Sequence, residues 1–163
     1  MKLNEKMEKA LNEQINKELF SEYLYLSMAA HFEGQALKGF SHWMKKQANE
    51  EHTHAMKLFD YMLERGGNIK LTAIDSPKAE WKTPLNAFEE AYAHEKFITE
   101  SINKVVDAAN ENKDKATAVF LNWFVSEQVE EEANADEIVQ KLKMVGPSTG
   151  GLFALDHQLG KRE

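Results

Sequence analysis

Glu50-Glu51-His52-Thr53-His54 carries a Glu-x-x-His pair, Glu51 with His54, and on a helix residues three apart share a face and can grip one ion together. About one such pair is expected by chance at this chain's Glu and His content, so its meaning rests on its surroundings. One heptad before Glu51 stands Met44 and one heptad after it Leu58, so the carboxylate interrupts an apolar stripe and does not sit on a wet face. Carboxylates are seldom buried without a partner. The same test succeeds three more times: Glu18 lies between Leu11 and Tyr25, Glu95 between Phe88 and Ile102, and Glu131 between Phe124 and Ile138.

These stripes belong to four long amphipathic helices. Residues 4–32 hold Met7, Leu11, Ile15, Tyr25 and Phe32 at helical spacing and end near Gly34. Residues 37–65 carry Phe40, Met44, Leu58 and Met62 and stop at Gly66-Gly67, where glycine relieves a left-handed cap. A third helix opens at Thr83-Pro84, with Leu85, Phe88, Tyr92, Ile98, Ile102 and Val105, and runs to Asn110-Glu111-Asn112. A fourth begins near Asp114, carries Phe120, Leu121, Phe124, Ile138 and Leu142, and ends at Gly146-Pro147. Ser148-Thr149-Gly150-Gly151 reads as a hinge before a short fifth helix at residues 152–159, too short to stand alone. Between the second and third helices, residues 68–84 contain Pro77 and Pro84 and no sustained helical period. A connector of about 17 residues can span roughly 50 Å, enough to travel the length of a helix of about 40 Å and start the next at the opposite end. The fold expected is all-α: a four-helix bundle with one long crossover, residues 1–145, followed by a hinge and short C-terminal helix, residues 146–163.

Each interrupting acid falls within about two residues of the middle of its predicted helix, so Glu18, Glu51, Glu95 and Glu131 reach one central layer whichever way the helices run. Four inward carboxylates repel strongly unless protonated, hydrated or holding cations. Two divalent ions balance four carboxylates, and neutral His54 adds a nitrogen ligand. An oxygen-rich site with one imidazole and no thiolate suits iron or manganese, with zinc as competitor. No Lys or Arg lies on the stripes at the middle layer, which weighs against an acid cluster satisfied by internal counter-ions. Gln128, in a stripe between Leu121 and Ala135, is placed to orient a ligand or bound oxygen species. Glu50, Glu127 and Glu130 offer a weaker neighbouring cation site or, alternatively, a solvated acidic face. Tyr25 stands one heptad from Glu18, positioned to donate an electron or a hydrogen bond, or to fill the core; Trp123 and Phe124 read as packing.

The 163 residues suit one domain, and the absence of Cys excludes disulfides, thiolate zinc sites and cysteine-ligated iron-sulfur clusters. Residues 1–6 lead into a charged pattern without the apolar core of a signal peptide, and no run approaches a membrane span, so a cytoplasmic, soluble protein with no membrane partner is expected. A net charge of -7 argues against nucleic acid as a partner and suits a protein that collects cations.

Taken together, Asn16-Lys17-Glu18-Leu19, Glu50-Glu51-His52-Thr53-His54, His94-Glu95, Ser126-Glu127-Gln128-Val129-Glu130-Glu131-Glu132 and Gly151-Leu152-Phe153 make the chain resemble the prokaryotic non-haem ferritins. The resemblance implies a ferritin-like bundle in which Glu18, Glu51 and His54 bind one iron and Glu51 bridges to a second held by Glu95 and the Gln128/Glu131 region. It implies a third iron site at Glu50, Glu127, Glu130 and Glu131. It further implies a ferroxidase, oxidising Fe(II) with O2 or H2O2, and a homo-oligomeric 24-subunit shell that stores ferric oxyhydroxide, for iron storage and detoxification. The fourth helix lacks the second Glu-x-x-His of a bacterioferritin, and His52 follows Glu51 where a haem-ligating Met would be expected, so no haem is expected. A non-redox bundle binding zinc or manganese is the alternative reading.

Overall fold

The computed structural model describes residues 2–163 as five helices, α1 (Glu5–Gly34), α2 (Lys38–Glu64), α3 (Pro84–Glu111), α4 (Lys115–Val145) and α5 (Thr149–Leu159), with no strand among them. Three of the four long helices start on a side chain of their own. Asn4 accepts from the Met7 amide at 2.9 Å, Thr83 from Asn86 at 3.0 Å just before Pro84, and Asp114 from Thr117 at 3.1 Å. Each such cap contributes about 1 kcal/mol. α2 has no cap of its own, and its start is instead closed from a distance by Asp156 of α5, whose carboxylate accepts from the Phe40 amide at 2.9 Å. Gly66, at φ +63°, ends α2 as the sequence requires, with Gly67 N donating to Met62 O at 2.8 Å.

The ends of the helices fix their directions. Arg65, just past α2, pairs with Asp114 at the start of α4 at 3.1 Å, and Tyr61 stacks on Phe120 with ring centroids 3.8 Å apart, so α2 finishes at the end of the bundle where α3 gives way to α4. α2 and α3 are therefore parallel. The connector between them runs up the side of α1: the Asn12 side chain donates to Asn68 O, Asn16 to Ala73 O and Ser27 to Lys78 O, and His31 meets the edge of Trp81. A segment without internal hydrogen bonding is thus held by polar side chains on the outer face of α1. This is the single long crossover expected from residues 68–84.

The core is divided. At one end, Tyr25, Met28, Phe32, Phe40, Trp43, Met44, Phe88, Ile138 and Leu142 pack together; at the other, Met7, Leu11, Ile15, Leu58, Met62, Ile98, Ile102, Leu121 and Phe124 do the same. Between them, buried among the same four helices, lie Glu18, Glu51, Glu95 and Glu131.

α5 differs from expectation at its start. Gly146-Pro147 alone forms the turn, with Gly146 at φ +53°; Thr149, Gly150 and Gly151 already form the first turn of the helix because Ser148 caps it, accepting from Gly151 N at 3.0 Å. A good cap outweighs the poor helix propensity of two glycines. The helix lies on α2, burying Leu155 and Leu159 in the same cluster as Phe40 and Trp43, while Leu152 is half-buried and Phe153 is exposed on the single chain. Gly39 permits this contact, since a Cβ there would come within 1.6 Å of the Asp156 carbonyl oxygen.

Candidate metal centre

The four interrupting acids come from four different helices and meet in the middle because each sits near its helix midpoint on the inward stripe. Three overlapping sets of ligand atoms result, each within 4.8 Å: Glu18, Glu51 and His54; Glu51, Glu95 and Glu131; and His54, Glu127 and Glu131. Glu51 belongs to the first two, so one carboxylate stands between two adjacent positions. His54 Nδ1 lies 3.3 Å from Glu51 Oε2, and its Nε2 lies 3.9 Å from Glu127 Oε2. The ring is held edge-on between Trp123 and Phe124.

Neutral donors hold the carboxylates. Gln14 Nε2 donates to Glu18 Oε1 at 2.8 Å, and Gln47 Nε2 reaches both Glu51 Oε1 at 3.2 Å and Glu131 Oε2 at 2.6 Å. Glu95 accepts from the Tyr25 hydroxyl and, at 3.2 Å, from Gln128 Nε2, which also reaches Thr99 Oγ1 at 3.3 Å. Tyr25 and Gln128 therefore both touch the layer through Glu95. Gln14 and Gln47 are fully buried and were not expected; the signal was a glutamine four residues before an inward glutamate, Gln14 before Glu18 and Gln47 before Glu51, one helical turn apart.

Among the described residues, no ion pair joins a Lys or Arg to any of the four acids, and Glu18 Oε2 is buried without a hydrogen-bond partner. The electrostatic consequence is large. Burial, with the neighbouring Glu51 charge, raises the Glu18 pKa to about 8. Burial raises Glu95 to about 7 against the opposing hydrogen bonds of Tyr25 and Gln128, and burial with the Glu95 charge raises Glu131 to about 7. Glu51 is pushed well above the carboxylate range by burial and by Glu95 and Glu131. Burial also lowers His94, beside Glu95 in sequence and bonded to Ser21 at 2.7 Å, to about 4. A layer in which burial and mutual repulsion favour the protonated carboxyls is chemically matched to divalent cations, which displace those protons. The donor set is five carboxylates and one imidazole, suited to iron, manganese or zinc.

The rim is different. Glu127 is half-buried and joins His54 and Glu131, but Glu50 and Glu130 are exposed and belong to none of the three sets. Glu50 is engaged elsewhere, by Arg162 Nη2 at 2.6 Å, with the guanidinium lying over Trp43 and Nη1 donating to Trp43 O at 3.3 Å. The third set therefore gathers His54, Glu127 and Glu131, with Glu50 close enough to raise the Glu131 pKa but bound to Arg162 in the C-terminal segment. Trp123, expected as packing, is partly exposed and carries Lys57 over its ring at 4.3 Å.

Residues 8–145 match the Ferritin-like domain family. The chain is 48% identical over 160 residues to a bacterial non-heme ferritin of Bacteroides fragilis, covering 98% of this chain and 99% of that protein. It is 41% identical to a bacterial non-heme ferritin of Campylobacter jejuni, covering 96% of this chain and 94% of that one. Among solved structures it is similar to a novel open pore ferritin from the hyperthermophilic archaeon Archaeoglobus fulgidus, with a TM-score of 0.99, 51% identity and full coverage of both chains. No helix among the described residues is long and apolar enough to cross a membrane.

Proposed function

This chain belongs to the ferritin family, and on that premise we propose that it takes up ferrous iron, oxidises it at the buried carboxylate layer and stores the ferric product. The observation that carries the reading is the pair of ligand sets sharing Glu51, buried, with no Lys or Arg paired to its acids and placed across the middle of the bundle. Glu18, Glu51 and His54 receive one ferrous ion, and Glu51, Glu95 and Glu131 a second, with Gln128 orienting Glu95. Two divalent ions restore the neutrality that protons otherwise supply, and each substrate ion gives up one electron. A pair of such ions matches a two-electron acceptor, O2 or H2O2, which is why two adjacent sites serve better than one. Protons displaced from Glu18, Glu95 and Glu131 are available to the reduced oxygen species. Tyr25, with its hydroxyl on Glu95, couples the layer to the aromatic half of the core.

The His54, Glu127 and Glu131 set at the rim serves passage of iron to and from the pair, with Glu50 and Glu130 as flanking acids. A cavity of about 350 Å³ lined by Asn49, Glu50, His54, Trp123 and Glu127 leads there. The proposal further has the ferric product stored as oxyhydroxide within a homo-oligomeric 24-subunit shell, as the ferritin resemblance implies. Leu26, Phe97, Val129, Met144 and Phe153, exposed on the single chain, supply apolar surface for that assembly. The same proposal places the protein in the cytoplasm and gives it no haem.

The test is stopped-flow absorbance after ferrous iron is added in air to the iron-free protein, with sedimentation before and after loading. Rapid oxidation saturating at two ions per chain, on particles that become denser without changing number of subunits, is expected. Tight binding of zinc or manganese with no oxygen consumption on adding ferrous iron would identify a non-redox metal-binding bundle instead.

A further inference from the structure

Three side chains outside the ligand sets form a directed chain that ends on Glu18. Lys17 Nζ donates to Ser101 Oγ at 2.7 Å, Ser101 Oγ donates to Gln14 Oε1 at 2.6 Å, and Gln14 Nε2 donates to Glu18 Oε1 at 2.8 Å. Every donor in the series points the same way. Gln14 and Ser101 are buried and Lys17 half-buried, so the chain runs from the outer surface of α1, across to α3 through Ser101, and back to α1 at the acid layer. Lys17 and Glu18 are neighbours in sequence yet project about 100° apart around a helix, so the ammonium cannot pair with Glu18 directly and acts through the two intervening groups. The Ser101 hydroxyl has one proton, and Lys17 leaves it only Gln14 Oε1 to donate to. That fixes the orientation of the amide, which then must present its NH2 to the carboxylate.

The consequence falls on Glu18. Its Oε1 is occupied by Gln14, while Oε2 is buried without a hydrogen-bond partner, and Glu18 offers an oxygen to the set it forms with Glu51 and His54. We propose that Lys17, Ser101 and Gln14 are positioning residues for the substrate cation: the chain they form holds Glu18 so that one oxygen alone, Oε2, turns to the ion. This rests on the assignment of Glu18 as a ligand. Without the chain, the Glu18 carboxyl is free to rotate and offer both oxygens, which changes both affinity and coordination geometry.

Cobalt(II), redox-inert under these conditions and suited to an oxygen and imidazole set, is the probe, added anaerobically to the iron-free full-length protein while its visible ligand-field absorption and heat of binding are followed. In Ser101→Ala and Gln14→Leu the tightest cobalt step should weaken by about tenfold or more, with a shifted absorption band. Lys17→Met should show a smaller loss with the same band shift, and Lys17→Arg, which keeps a donor and a charge, should restore the wild-type spectrum. The double variant Ser101→Ala with Lys17→Met should bind no worse than Ser101→Ala alone, because both cut one chain. A role confined to helix packing would lower the melting temperature and leave the cobalt band in place, and that result overturns the proposal. Glu18→Ala separates the two claims. If it abolishes the tight step while Ser101→Ala leaves affinity and spectrum untouched, the positioning chain is wrong and the ligand assignment stands. If Glu18→Ala itself leaves the tight step intact, the assignment fails and the chain with it.

Discussion

Glu50 and Glu51 are adjacent in sequence and opposite in physics. Glu51 is 1% exposed, shared between two ligand sets and pushed well above the carboxylate range, whereas Glu50 is exposed and paired with Arg162 at 2.6 Å. The same contrast separates Glu131 from Glu130 on α4. A helix turns about 100° per residue, so one step carries an acid from a buried layer shared by four helices to the exposed surface, where Glu50 meets a guanidinium. What differs is what replaces water. At the rim a neighbour supplies positive charge, and in the layer neutral glutamine amides and a tyrosine hydroxyl hold the carboxyls. Identical side chains are thereby divided into groups that demand a cation and groups that merely attract one.

The largest effect expected from this division is at Glu51. Because it serves both central sets, Glu51→Ala should slow the first rapid phase of ferrous oxidation by at least about 100-fold while circular dichroism shows unchanged helix content. A wild-type rate in that variant would put the chemistry outside the layer.

The second effect is on stability. Glu18, Glu95 and Glu131 have folded-state pKa values raised from 4.5 to about 8, about 7 and about 7, so the folded metal-free protein binds more protons than the unfolded chain across that window. Stability is then fully present below about pH 4.5 with respect to these groups, and it is lost as pH rises through 7 and 8. Glu18→Gln keeps the acceptor for Gln14 and removes the charge. Metal-free Glu18→Gln should be more stable than metal-free wild type by about 1–4 kcal/mol at pH 8, with the gap closing toward pH 5. Scans at one rate and one protein concentration check this, and equal stability at pH 8 would mean that the layer is already satisfied. Replacing Glu95 by Met, equally free of charge, is a poorer choice, since it would strand the buried Tyr25 hydroxyl and the Gln128 amide.

The smallest effect belongs to the rim. Glu130→Ala and Arg162→Gln should leave the first two ions per chain oxidised at the wild-type rate and alter only later additions, measured by successive ferrous loadings. Slowing of the first addition in Glu130→Ala to the level of Glu51→Ala would erase the distinction between layer and rim.

Much of this is legible in the sequence. Four stripes each broken by one glutamate, Gly66-Gly67 at a helix end, and Thr83-Pro84 at a helix start are local patterns, and the helices lie where those patterns put them. Long-range satisfaction was less accessible. Nothing periodic links Arg162 to Glu50 or Lys17 to Ser101, contacts across 112 and 84 residues that depend on how α5 and α3 settle on their neighbours. α1 also ends by a device composition does not advertise: the left-handed residue is Ala36, at φ +60°, and not Gly34. That conformation costs a residue with a Cβ about 1–2 kcal/mol, which the Leu37 amide on Phe32 O at 3.0 Å and the burial of Leu37 offset. The inward direction of Tyr25 followed from its heptad, but its bond to Glu95 required the depth of α3 relative to α1.

The most direct test of the central claim is a crystal structure of the iron-free protein soaked with ferrous ion under nitrogen, with anomalous scattering recorded at the iron edge. Two peaks per chain are predicted in the buried layer, one among Glu18, Glu51 and His54 and the other among Glu51, Glu95 and Glu131, with Glu51 touching both. Iron confined to the rim near Glu50, Glu127 and Glu130, with the four central carboxyls still held by Gln14, Gln47, Tyr25 and Gln128, would contradict it.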